Sequence, residues 1–385
     1  MMITEGAGEL NRVARVTPEV VTRLTTPTYH ERIPILMRAT EDEARGARMR
    51  IGGLRVIDRA IRQLAKLGDA KVLIVADGSI PLPRRLPANV EVHEVEGDAG
   101  ATVARLCAEL GSEVRVLGAD NVWIQPARFD RAIRVVDAAS RRLAENEIYL
   151  DLQRGTVGLV DRALNRRVSS VLTRAIVSKL PLVPALVTLA AGFVGVYGAL
   201  MIATGASANV LLGFLLLQGS IVLDGCASEL ARVRLHQSAL GAWLDTMVGD
   251  FLNVVMILAV GLALWRHGGT YLDMKMALVS AALTLFYVVV SYRELIRQRQ
   301  GDVMKLRWWF AYGQPLRSLS GAGAGQLKAV MLLGRRDVVV LLGLALAYFD
   351  QLPIVALYMM IISLVRAAGA LGQLLTPDWR VRPPG

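Results

Sequence analysis

The stretch IVLDGCASELARVRLHQSALGAWLDTMVGD, residues 221–250, decides the architecture. It joins the end of one apolar run, Asn209–Cys226, to the start of another, Ala242–Trp265, and both junctions carry carboxylates. Crossing the lipid hydrocarbon takes roughly 20 mostly apolar residues, because that layer is about 30 Å thick. Both runs are of that kind. Carboxylates within such runs are costly and mark function by default. On a helix, positions 224, 228 and 231 share one face with 227 beside them, and 241, 245 and 249 form a second row. Two helices joined by a short turn would bring Asp224 and Asp245 toward each other at the cytosolic end. Facing carboxylates suit a hard divalent cation such as Mg²⁺ or Ca²⁺. The plainer reading of Asp224 alone is a helix-end carboxylate reaching interfacial water.

Working outward, the apolar runs multiply. Leu182–Ala203, Met274–Tyr292, Val338–Ala347 extended by its neighbours, and Ile354–Leu374 bring the expected spans to six, with Asp350 interrupting the fifth near its end. The averages of the whole chain, 54% hydrophobic residues and a net charge of +11, hide a division. Residues 1–180 hold scattered charges and no long apolar run, whereas 181–375 hold nearly all of them. The start, MMITEGAGEL, has no apolar segment of the secretory type, so the first part is expected to stay cytosolic. The segment Arg293–Arg336 and the turn carrying Arg232 and Arg234 are basic, while TGAS near 204 and DQLP near 350 have no Lys or Arg. By the positive-inside bias, both termini face the cytosol, in an inner (cytoplasmic) membrane. The cationic residues crowd the membrane flanks, which argues against nucleic acid as a partner. Cys107 and Cys226 lie far apart, which argues against a disulfide framework.

Ahead of the spans, IPILM (33–37), KVLIVAD (71–77), VEVHEV (90–95) and EVRVLGAD (113–120) read as strands. LRVIDRAIRQLAKLG, AGATVARLCAELG and ARFDRAIRVVDAASRRL read as amphipathic helices between and after them. That alternation predicts an α/β domain with a parallel sheet. The expected organisation is a tail at 1–30, the α/β domain at 31–148, basic juxtamembrane linker helices at 149–180 and an all-α membrane domain at 181–385. In the linker, Arg154, Arg162, Arg166, Arg167 and Arg174 form either an anionic acceptor pocket or a flank for anionic lipid headgroups, and both can hold together. DVMKLRWWFAYGQPLRS reads as a surface-lying helix or a connecting loop with interfacial aromatics, and SGAGAG (320–325) as a flexible joint.

At residues 224–249 the chain resembles the CDP-alcohol phosphotransferases, whose pattern is D-x-x-D-G-x-x-A-R, eight residues, then G-x-x-x-D-x-x-x-D. Asp224, Ala231, Arg232, Gly241 and Asp245 match five of its eight positions. LPLVPALVTL looks like the family's entry into the first span, keeping Pro184, Val187 and Thr188, with Ala185 in place of Asn. RGTVGLVDRALNRRVSSVLTR resembles the basic segment of members with a fused nucleotidyltransferase-like domain, such as the inositol-phosphate-transferring branch. IGGLRVIDRAIRQLAKLGDAKVLIVADG resembles that fused domain itself, and LGADNVW its metal-binding strand end, with Asp120 in the ligand position. The plainer reading of Asp120 is a carboxylate capping a turn. Where the fused domain has a glycine-rich phosphate loop, this chain has ILMRATEDEARGARMRIGG.

The resemblance implies a membrane enzyme that moves a phosphoalcohol group from a CDP-linked alcohol to an acceptor alcohol with release of CMP, in phospholipid or inositol-phosphodiester synthesis. It implies Mg²⁺ or Mn²⁺ held by Asp224 and Asp245, substrate contacts at Ser228, Glu229, Ala231, Arg232 and Gly241, membrane lipid as a partner and a homodimer. Ala227 and Gly249 replace two motif aspartates, and Ser228 replaces a glycine. Asp250 adjoins the lost base position, but one helical residue turns a side chain about 100° away. Two functions follow: a transferase with a weakened metal set, or a catalytically inactive relative that binds lipid, nucleotide or a protein.

Overall fold

The computed structural model describes residues 35–65, 72–83, 85–95, 99–109, 115–124, 132–154, 160–175, 179–299, 306–311 and 332–376. They fall into two compact units, one drawn from Met1–Arg154 with Val233–Leu235, the other from Gly155–Arg232 and His236–Gly385.

The first unit is built on a parallel sheet of β1 (Ile35–Ala39), β4 (Val72–Ala76), β5 (Val90–Glu94) and β6 (Arg115–Gly118), in the order β5-β4-β1-β6, with β2 (Arg50–Ile51) and β3 (Leu54–Arg55) forming a separate antiparallel pair. Residues alternate between its faces with the two-residue period of a strand. Ile35 and Met37 point to the side where Ile57, Ile61 and Leu64 of α2 (Val56–Ala65) pack. Leu36 points to the other, against Val103 and Cys107 of α3 (Ala99–Glu109). Burial holds the Cys107 thiol above its usual pKa. A parallel sheet with covered faces is therefore in place, as the strand and helix alternation predicts.

One segment takes a form that the sequence leaves open, and one reading is corrected. ILMRATEDEARGARMRIGG contains a helix, α1 (Glu41–Arg48), whose start is a capping box: the Glu43 carboxylate accepts from the Thr40 backbone N–H at 3.1 Å. ARFDRAIRVVDAASRRL is not one helix. Ala132–Arg134 is a strand, β8, paired antiparallel with β7 (Asn121–Trp123), and α4 begins only at Ala138 and runs to Arg154. The β-branched residues of AIRVV favour the extended chain. Asp137 then supplies the stop and restart, accepting the Ser140 N–H at 2.8 Å at the head of α4.

The second unit is helical. A π-helical turn, Asp161–Asn165, leads into α5 (Arg166–Ala175). The long helices α6 (Pro184–Ala203), α7 (Ser207–Val233), α8 (Ala239–Arg266), α9 (Tyr271–Arg297) and α11 (Leu352–Leu375) are each long and apolar enough to cross a membrane. The expected fifth span is α10, Arg336–Tyr348, of 13 residues. At 1.5 Å per residue it rises about 20 Å, short of a full crossing, and five candidate spans rather than six are therefore found among the described residues. The helices join through a buried cluster that includes Phe214, Leu217, Met256, Val260, Val340 and Met359. α6 and α7 touch backbone to backbone at Gly198 and Gly213, where a Cβ on Gly198 would stand 2.8 Å from the Gly213 carbonyl oxygen. The opposite face of α6 exposes Leu186, Leu189, Phe193 and Leu200. Such faces belong against lipid, and the chain is a multi-pass membrane protein. Of the aromatic segment before α10, only 306–311 is described; it holds buried Trp308 and a 3₁₀ turn, Trp309–Ala311, and the SGAGAG joint lies outside the described residues.

Candidate functional site

The candidate site lies in the helical unit, where α7 and α8 present Asp224 and Asp245. Ser238 shapes the turn into α8: its Oγ accepts the Gly241 N–H at 3.0 Å and caps the helix. Gly241 is thus an exposed residue of the first helical turn. From that start Asp245 falls one turn inward and interacts directly with the Asp224 side chain. Asp245 remains exposed, and the Asp224 side chain retains 23% of its accessible surface.

A residue not anticipated at this place completes the pair. Arg336, the first residue of α10, donates from Nη2 to Asp224 Oδ2 at 3.2 Å. Its Nη1 is buried, has no acceptor among the described residues and lies 3.6 Å from where a Gly249 Cβ would be. The head of α10 is fixed on both sides of Arg336. Arg335 Nε pairs with Asp337 at 3.0 Å, its Nη2 reaches Asp161 at 3.4 Å, and Asp337 accepts the Asp161 N–H at 3.1 Å.

Arg166 ties the same region together. It lies 3.6 Å from Asp161 and donates from Nη1 to Ser228 Oγ at 3.0 Å and to Glu229 at 3.4 Å. Ser169 also donates to Glu229, at 2.7 Å, and Glu229 is 1% exposed. The motif-region polar residues Ser228 and Glu229 are therefore occupied by the linker helix. Ala231 and Arg232 lie half-buried toward the end of α7. Arg162, Arg167 and Arg174 are exposed, and the Arg154 side chain lies outside the described residues. Of the four described linker arginines, Arg166 is drawn into the ion-pair cluster while Arg162, Arg167 and Arg174 lie exposed.

The remaining expectations separate. Ala227 is packed with Val187, Leu230 and Leu172 in an apolar cluster. Asp250 engages the Tyr292 hydroxyl of α9. In the α/β unit, Asp120 is buried and accepts from Arg134 Nε at 2.8 Å. Burial raises the Asp120 pKa, and the bond to Arg134 opposes that rise without cancelling it. Asp120 sits just beyond β6, next to β1, the place where sheets of this winding hold ligands. Here α1 packs closely against it: a Cβ on Gly46 would lie 2.8 Å from Asp120 Cβ.

Mg²⁺ demands an octahedron of oxygens at about 2.0–2.1 Å, several of them contributed by water or phosphate. Among the described residues, no group of three or more His, Cys, Asp or Glu gathers that could hold a metal. Asp224 is engaged by a guanidinium, and Ala227 and Gly249 offer no oxygen in a side chain. The residues present do not fit a divalent metal centre.

Sequence reasoning placed Asp224 and Asp245 together and missed Arg336, Asp161, Ser169 and Asp337. The signal available was RRD at the head of an apolar run, which reads equally as a positive-inside flank.

Comparison with known proteins agrees with the resemblance. The chain is 32% identical over 105 residues to a bifunctional IPC transferase and DIPP synthase of Archaeoglobus fulgidus, covering 27% of this chain and 20% of that protein. It is 31% identical over 107 residues to a protein of the same name from Aquifex aeolicus, covering 28% of this chain and 24% of that one. The aligned part thus spans between a fifth and a quarter of the length of these curated relatives. No protein-family profile matches the chain.

Proposed function

We propose that this chain is a CDP-alcohol phosphotransferase-like protein of the cytoplasmic membrane that binds a CDP-linked alcohol or its product lipid without transferring the phosphoalcohol group. The observation that carries this reading is the pairing of Asp224 with Arg336 beside Asp245, with no third carboxylate gathered there among the described residues. Asp245, exposed and an acceptor, would take ligand hydroxyls. The outward Arg162, Arg167 and Arg174 would meet phosphate or anionic headgroups, each charge contributing about 1 kcal/mol near a membrane surface. Ala231, Arg232 and Gly241 would border the ligand, while Ser228 and Glu229 would support it through Arg166. The basic flanks favour a cytosolic site with both termini on that side, and pairing of two copies follows from the resemblance alone. In the α/β domain, the close packing of α1 against Asp120 supports a domain without nucleotidyl transfer.

The retained contact between Asp224 and Asp245 favours a second reading, a transferase working with a reduced acidic set. Release of CMP separates the two. Purified full-length protein in nanodiscs, offered CDP-diacylglycerol or CDP-inositol with a panel of alcohols, is expected to release no CMP above background while retaining the nucleotide lipid. Release that disappears in Asp245→Asn would overturn this expectation in favour of an active transferase.

A further inference from the structure

We propose that the Arg336 guanidinium is the resident cation of this site, standing in place of a divalent metal, so that the carboxylate pair works without Mg²⁺ or Mn²⁺. The inference deepens the reading above and rests on the same pair of aspartates.

Charge and geometry carry it. Two neighbouring carboxylates repel unless a proton, a metal or a fixed cation lies between or beside them. Arg336 supplies the fixed cation at 3.2 Å from Asp224, with its side chain only 15% exposed. A guanidinium does not deprotonate under these conditions, and its planar array of N–H groups matches carboxylate oxygens. The arginine is placed rather than trailing. Residues 335 and 337 on either side of it are both bonded to Asp161, so the start of α10 is fixed where Arg336 projects. Asp161 is further engaged by Arg166.

The two departures from the aspartate pattern have different consequences. Ala227 faces an apolar cluster, so a carboxylate there would lose solvation without meeting the pair. Gly249 borders Arg336 Nη1. An aspartate at 249 would meet the guanidinium, so the missing carboxylate and the present arginine occupy neighbouring space. The position that lacks a carboxylate and the permanent positive group are therefore direct neighbours, 3.6 Å apart measured from a Cβ on Gly249. Restoring a carboxylate free of the guanidinium takes both changes, Gly249→Asp and Arg336→Met.

The test is Mn²⁺ binding to the purified full chain, followed by electron paramagnetic resonance. Wild type is expected to give no saturable signal beyond that of Asp245→Asn. Gly249→Asp alone is expected to stay silent because the new carboxylate pairs with Arg336. The double variant Gly249→Asp/Arg336→Met is expected to bind Mn²⁺ at least about tenfold more tightly than wild type. Saturable wild-type binding that vanishes in Asp245→Asn would overturn the proposal, as would a folded double variant no better than wild type. If the double variant does not fold, the comparison of wild type with Asp245→Asn still decides. Parallel binding of CDP-diacylglycerol in Mg²⁺ and in EDTA separates the underlying functional reading. Equal binding supports both ideas, and binding that needs Mg²⁺ overturns the resident cation alone. Absence of binding in both buffers sinks the ligand assignment, while the Mn²⁺ result continues to decide the inference.

Discussion

Each unit contains an aspartate paired with an arginine, and the two pairs are built in opposite ways. In the α/β unit the acid is the hidden partner: the Asp120 side chain is 2% exposed and Arg134 49%. In the helical unit the arginine is the more covered partner, 15% against 23% for Asp224, and a second carboxylate stands open beside them. The first pair lies where α1 packs against Asp120 at Gly46. The second neutralises part of an accessible acidic site and leaves acceptor oxygens available. An ion pair is therefore a poor guide to function by itself; which partner is covered, and what lies next to it, decides.

The largest effect expected is at Ala227. Ala227→Asp would place a carboxylate among Val187, Leu172 and Leu230 and cost about 3 kcal/mol or more, read as a lowered melting transition of the purified protein in detergent. An unchanged transition would mean that this face is hydrated and that the separation between Ala227 and Gly249 fails. Next comes the hidden pair. Arg134→Met should destabilise by about 2 kcal/mol, because Asp120 loses the charged donor that offsets its burial. Thermal unfolding followed by circular dichroism would show it, and a neutral result would erase the contrast between the pairs.

The smallest effect is a pH response of the α/β unit. Burial alone would raise Asp77, but bonds from Ser79 and from the Glu41 N–H more than offset it and hold the carboxyl below its usual range. Its contribution to stability is complete above the unfolded value of about 3.9 and is lost as pH falls through the lower folded value. Melting temperatures between about pH 5 and pH 3 should fall with acid, and less steeply in Asp77→Asn. Equal slopes would show that Asp77 carries none of the response.

The parts of this molecule legible in sequence are those with local signals. Apolar length reveals α6 to α9, and short continuous apolar runs reveal β1 and β4, because each is written in neighbouring residues. Thr40 and Glu43 also announce a helix start, as the two members of a capping box. Strand β8 is hard to read in sequence because the charges flanking AIRVV give the whole segment a helix-like spacing until Asp137 interrupts it. Of the site, Asp224 and Asp245 are close in sequence and their meeting could be anticipated. Arg336 is 112 positions from Asp224, and no periodicity connects them. Such a partner comes only from the packing of α10.

The shortness of α10 bears on the lipid as well as on the protein. Its 13 residues rise about 20 Å against a hydrocarbon layer of about 30 Å. Tyr348 and Phe349, packed edge to face and exposed at its far end, suit one headgroup boundary. With that end anchored, Arg336 would lie about 10 Å beneath the opposite boundary. The bilayer must then pinch locally or water must follow the charge inward. Acyl-chain length thereby becomes a variable of the site: shorter chains carry the headgroup layer toward Arg336, and longer ones bury it.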